Sequence, residues 1–201
     1  MPKLRVTGGS LKGRWAEVPH GPYEIRPAMD RMRESFFGIL GDLHGRSFLD
    51  LFSGSGIVAL EAASRGADPV HCVERDRPKF PVLLRNVGMA ERRIECHCMP
   101  VERFILRATI GFSVVFCDPP FPYAHKAALV ESIAERGLVE PGGLLLIHYP
   151  KGDALPERAG ELALEDEREY GRSQLRFYRR ATGALGASAA GGAIFSGLTG
   201  A

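Results

Sequence analysis

No apolar stretch in this sequence approaches the roughly 20 residues that a helix needs to cross a bilayer. The opening Met1-Pro2-Lys3-Leu4-Arg5 leads into no apolar segment of the kind a secretory leader requires. No membrane contact is expected, and the cytoplasm is the expected location. Tryptophan occurs once and cysteine four times. Cys72, Cys96, Cys98 and Cys117 stand in or beside apolar, strand-like runs, where reduced thiols are buried. Cys96-His97-Cys98 resembles part of a metal site, but successive strand residues face opposite sides and no second ligand pair has suitable spacing. No metal is expected. His20, His44, His71, His97, His125 and His148 show neither ligand nor triad spacing and read as structural or exposed.

A strong excess of one charge is missing too, the formal net charge being +2. Its distribution is uneven, however. Lys3, Arg5, Lys12, Arg14, Arg26, Arg31 and Arg33 outnumber the acids of their stretch, and the remainder is faintly acidic. A basic front on such a body suggests a polyanionic partner approached from one side.

What is present suits one α/β domain with a modest appendage in 201 residues. Leu4-Arg5-Val6-Thr7, the turn Gly8-Gly9-Ser10 and Arg14 to Val18 read as a β-hairpin. Prolines 19, 22 and 27 make an extended connector, so residues 1–27 form the hairpin and its link. Met29, Met32, Phe36, Ile39 and Leu40 recur at helical spacing over 28–40 and open the main domain, 28–180. Strands are expected at 47–51, 69–74, 94–98, 112–117, 144–148, 162–165 and 173–179. Helices are expected between the first five, with Glu140-Pro141-Gly142-Gly143 as the turn before strand 144–148. The pattern predicts an α/β fold with a mostly parallel seven-stranded sheet and an antiparallel edge, preceded by the hairpin. The stretch 181–201, almost wholly Ala, Gly, Ser and Thr, is expected to be disordered.

Two stretches carry chemistry. In Phe48-Leu49-Asp50-Leu51-Phe52-Ser53-Gly54-Ser55-Gly56 an apolar run ends in a carboxylate and a glycine-rich turn, and a helix-forming run follows. Gly54 and Gly56 permit a tight bend and a close ligand, while the turn amides and helix N-terminus favour polar or negative groups. Glu74, at the end of the next strand, stands about 20 residues on, where a ribose-binding acid is expected. Asp118-Pro119-Pro120-Phe121 closes strand 112–117. A carboxylate, a stiffened carbonyl and an aromatic ring suit a flat group bearing an amine. Such an amine is a poor nucleophile, and two acceptors holding its lone pair toward an electrophile help chiefly by positioning.

These motifs, in this order, resemble the S-adenosylmethionine-dependent amino-methyltransferases. Arg5-Val6-Thr7-Gly8-Gly9, Lys12-Gly13-Arg14 and Arg26-Pro27 with Asp30-Arg31-Met32-Arg33-Glu34 further resemble the bacterial family that methylates the guanine N2 amine in small-subunit ribosomal RNA, over about residues 3–180. The resemblance implies a Rossmann-like class I methyltransferase fold. It implies that Asp50, Phe52, Gly54, Gly56, Glu74 and Met99 line the cofactor site. Asp118, Pro119 and Phe121 would form the catalytic site, and Arg5, Lys12, Arg14, Arg31 and Arg33 would grip RNA or an assembling small subunit. Phe121 replaces the family's usual tyrosine, and Cys98-Met99-Pro100-Val101 stands where the family commonly carries an acid near the adenine. Nothing demands a dimer, so a monomer is expected. The alternatives are a catalytically weak or dead RNA-binding or assembly factor on the same fold, and an amino-methyltransferase of another nucleic acid. A nicotinamide dehydrogenase would need neither Asp118 nor its prolines.

Overall fold

The computed structural model describes residues 2–19 and 27–183. Arg26, most of the connector and the tail from residue 184 lie outside the described residues. The hairpin is β1 (Lys3–Arg5) against β2 (Trp15–Glu17), antiparallel with Arg5 opposite Trp15. Helix α1 (Pro27–Leu40) follows. Alternating strands and helices then run β3 (Phe48–Leu51), α2 (Ile57–Ser64), β4 (Val70–Val73), α3 (Phe80–Val87), β5 (Ile94–His97), α4 (Val101–Arg107), β6 (Phe112–Cys117), α5 (Lys126–Glu135) and β7 (Val139–Pro150). The chain closes with β8 (Arg158–Ala159), β9 (Leu162–Tyr170) and β10 (Ser173–Arg180).

The main sheet has the order β5-β4-β3-β6-β7-β10-β9-β8. Its first five strands are parallel, as βαβ connections require. Strands β10, β9 and β8 add antiparallel pairs, which short connections permit. The seven expected strands are all present, and the two-residue β8 adds an eighth. The expected turn at 140–143 differs: β7 runs through it, with a register shift against β6 between Phe112 and Val114. Glycine explains this. Gly142 has φ 77°, and a Cβ on Gly143 would come within 2.9 Å of the Glu140 and Ser113 carbonyl oxygens, so a bulge passes where a side chain could not.

Residue alternation divides the core. Leu49, Leu51, Val115, Cys117, Leu145 and Ile147 face α4 and α5. Phe48, Val114, Phe116, Leu144 and Leu146 face α1, α2 and α3, and Phe36 of α1 stacks on Phe116 with ring centroids 4.8 Å apart. Helix α2 is apolar nearly all round, as suits a helix covered on two sides. Its second side carries the hairpin, through Val6, Leu11 and Ala16 on Ile57 and Leu60. No described helix is long and apolar enough to cross a membrane.

Candidate active site

The parallel strands end together, and the singled-out residues gather there. Beyond Leu51, Phe52 (φ 63°), Gly54 (φ 53°) and Gly56 (φ 76°) all take left-handed backbone conformations. At Gly56 an added Cβ would stand 2.9 Å from Val87 Cγ1 and 3.2 Å from Leu83 Cγ, so the conformation and the packing of α3 both demand glycine. Phe52 is the unusual member, since a bulky residue there carries a strain of about 1–3 kcal/mol that the surroundings must offset. It packs on the α4/α5 side with Met99 and Tyr123, its ring edge-on to Tyr123 at 5.5 Å. Ser53 ties the turn down: its Oγ donates to Asp50 O at 2.7 Å and accepts the Val73 N–H at 3.0 Å.

Three carboxylates converge on this turn. Asp50 is buried and accepts the Ala59 N–H of α2 at 3.2 Å. Burial pushes its carboxyl well above the usual range; that hydrogen bond opposes the shift, and the charges of Asp118 and Glu74 reinforce it. Glu74 is buried just past β4, Oε2 accepting the Gly54 N–H at 2.9 Å and Oε1 the Asp76 N–H at 2.7 Å. Each oxygen keeps a second lone pair, enough for two hydroxyl donors. Asp118 follows β6, its own N–H bonded to Leu51 O at 3.2 Å, so β3 and β6 present both motifs side by side. Negative charge concentrated at a low-dielectric strand edge is relieved by a cationic ligand, and S-adenosylmethionine, with its sulfonium and ammonium groups, has that chemistry. The site fits it.

The loop after Asp118 is held from below. Lys126, buried at the start of α5, donates to Phe121 O at 2.8 Å and Tyr123 O at 2.6 Å and pairs with Asp153 at 2.7 Å. Tyr123 N–H takes the Pro120 carbonyl at 2.8 Å. Among the described residues no donor is spent on the Pro119 carbonyl. Asp118 Oδ1 lies 2.8 Å from Nδ1 of His148, whose ring centroid is 5.6 Å from that of Phe121. Sequence reasoning missed His148 and Lys126. The signal for His148 was its place at the end of the strand beside the Asp118 strand; for Lys126 it was a cation within an otherwise apolar helix start. A cleft lined by Gly9, Asp42, His44, Arg65 and Arg92 opens at the other, amino end of the strands, away from all these groups. Parallel sheets hold ligands at their carboxyl ends. Among the described residues no group of three or more His, Cys, Asp or Glu could hold a metal.

The basic front divides. Arg5, Lys12, Arg14 and Arg31 are exposed, and the Arg5 guanidinium lies 5.9 Å from the centroid of the exposed Trp15 ring. Arg33 requires a correction. It is 5% exposed, with Nε 3.1 Å from Glu61 Oε2, one terminal nitrogen donating to Arg5 O at 2.9 Å and the other 2.9 Å from Asp30 Oδ1. Its guanidinium is committed to fastening the hairpin to α1 and α2 and is not offered to phosphate.

The family model described as "Conserved hypothetical protein 95" matches residues 4–179. The chain is 31% identical over 183 residues to "Putative rRNA methyltransferase YlbH" of Bacillus subtilis (strain 168), covering 88% of this chain and 99% of that protein. It is 28% identical to "Ribosomal RNA small subunit methyltransferase D" of Escherichia coli (strain K12), covering 89% and 90%. The structure "Putative methyltransferase yhhF from Escherichia coli" superimposes with a TM-score of 0.79 at 26% identity, over 90% of this chain and 99% of that one. The chain therefore belongs to the Conserved hypothetical protein 95 family and is an S-adenosylmethionine-dependent methyltransferase with the class I fold.

Proposed function

We propose that this enzyme methylates the exocyclic N2 amine of a guanine in small-subunit ribosomal RNA. The observation that carries the reading is the grouping of Asp118, the Pro119 carbonyl and the Phe121 ring beside the Gly54–Gly56 turn. The names of the curated relatives support ribosomal RNA as the substrate. Asp50 and the turn would hold the methionine end of the cofactor and Glu74 its ribose hydroxyls, with Phe52 lining the site and Met99 against the adenine. Bound S-adenosylmethionine supplies the electrophilic methyl group. The guanine leaves its stack and lies on Phe121. Asp118 and the Pro119 carbonyl each accept one amine hydrogen, which turns the nitrogen lone pair toward the cofactor side. Either Asp118 or water removes the surplus proton.

Transfer of labelled methyl to small-subunit particles and to naked small-subunit RNA, with digestion to nucleosides, tests this. N2-methylguanosine is the expected product; another methylated nucleoside, or no incorporation into either substrate, overturns the reading.

The exposed face of the hairpin, with Arg5, Arg14 and Trp15, is the natural contact for the RNA. Lys12 sits at the hairpin turn, near Ser64 at the far end of α2. Eight residues of helix rise about 12 Å, so Lys12 grips RNA well away from the target base. Trp15 is the chain's single tryptophan, so its fluorescence reports this face directly. Small-subunit RNA should quench its emission, whereas heparin, a polyanion without bases, should bind and leave it nearly unchanged. Trp15→Ala should weaken RNA binding by about 5- to 150-fold, the range for loss of one stacked base. Tight RNA binding with unchanged emission would remove Trp15 from the interface.

A further inference from the structure

Strands β6 and β7 are parallel and in register, with Phe116 beside Leu146 and Cys117 beside Ile147. One step further along each strand brings Asp118 beside His148. Side chains alternate, so both follow Phe116 and Leu146 onto the face covered by α1 and α2, which is also the face of Asp50. His148 closes the run Leu144-Leu145-Leu146-Ile147 and is 2% exposed, with Leu175 of β10 its neighbour on the other side. A ring nitrogen buried at the end of so apolar a strand needs a partner. Its partner is Asp118 Oδ1, at 2.8 Å.

Resting on the function proposed above, we infer that His148 is a positioning residue for methyl transfer: its Nδ1–H pins Oδ1 of Asp118 and leaves Oδ2 to receive the guanine amine. The torsion that turns an aspartate carboxylate is broad and nearly two-fold, so an untethered carboxylate presents its oxygens over a wide arc. Tethering one oxygen fixes the direction of the other. Phe121, 5.6 Å from the His148 ring, is aligned by the same side chain. The histidine therefore sets the acceptor and the stacking surface relative to each other. Its side-chain partners are Asp118 and Phe121, not the cofactor turn, so its loss should spare cofactor binding.

The test compares His148→Leu, which fills the space without a donor, with His148→Asn, whose amide nitrogen stands roughly where Nδ1 does. Single-turnover methyl transfer, the cofactor dissociation constant, RNA affinity and melting temperature are measured for each. His148→Leu should slow transfer about 10- to 100-fold, the scale of a misplaced reacting group. Its cofactor and RNA affinities should stay within about twofold, and His148→Asn should recover most of the rate. Transfer at the wild-type rate in His148→Leu overturns the inference. So does a loss matched by falling melting temperature and cofactor affinity that asparagine does not repair. Failure of the wild-type enzyme to methylate guanine N2 in any small-subunit RNA overturns the proposed function itself, and is read from the wild-type arm alone.

Discussion

Asp118→Ala is expected to lower single-turnover methyl transfer by roughly 100- to 1000-fold, the usual consequence of deleting one group that acts on the reacting centre. Cofactor affinity should change by less than about fivefold, because the turn proposed to hold the cofactor does not depend on Asp118 for its fold. Ser53 ties the turn to Asp50 and Val73, Glu74 caps Gly54, and Val87 packs on Gly56. On the function proposed above, alanine removes one of two acceptors for the amine. The Pro119 carbonyl remains, but a single acceptor leaves the amine free to rotate and its lone pair unaimed. Asp118→Asn sharpens the test. The His148 ring nitrogen will claim the asparagine oxygen as acceptor, which turns the NH₂ toward the incoming amine and sets donor against donor. Asparagine should therefore be nearly as damaging as alanine despite its matching shape. If Asp118→Asn keeps a rate within about threefold of wild type, proximity and not carboxylate acceptance drives the step.

How much of this was legible in the sequence follows from how local each feature is. The turn after β3 is written in adjacent residues: an apolar run, a carboxylate, two glycines and a helix former. Asp118 is marked in the same way by the prolines behind it. Such features survive without knowledge of the fold. His148 does not, because its meaning depends on the register of two strands separated by all of α5. The same holds for Lys126, whose ammonium acts on carbonyls of its own loop and on Asp153 beyond β7. Arg33 was misread for the opposite reason. On α1 it belongs to a basic cluster with exposed Arg31, and only Glu61 in a different helix distinguishes a fastener from a phosphate contact. The 140–143 segment shows the limit of turn chemistry, since a proline and two glycines that signal a turn also permit a bulge within a strand.

The Glu61 fastening leads to the largest expected effect on stability. Glu61 is fully buried within α2, an unusual place for a carboxylate. Oε1 accepts the Thr7 N–H at 3.2 Å, the Thr7 hydroxyl and an Arg65 terminal N–H at 3.0 Å, and Oε2 accepts Arg33 Nε at 3.1 Å. One side chain thus joins the segment after β1 to α1 and α2. Glu61→Ala leaves the 5% exposed Arg33 with only the half-exposed Asp30 as counter-charge, and a buried ion stripped of its main partner costs about 3–5 kcal/mol. For a chain of this size that lowers the melting temperature by roughly 6–20 °C. Trypsin should cut faster in the hairpin, at Lys12 and Arg14, as its docking on α2 loosens. Replacing both partners, Glu61→Leu with Arg33→Met, should be less damaging than Glu61→Ala, because a buried pair exchanged for apolar groups leaves no charge stranded. A Glu61→Ala protein that melts within about 2 °C of wild type would mean that the apolar contacts of Val6, Leu11 and Ala16 hold the hairpin unaided. If the double replacement is instead worse than Glu61→Ala, the hydrogen bonds to Thr7 and the Arg5 carbonyl outweigh the ion pair, and the hairpin is fastened by its backbone.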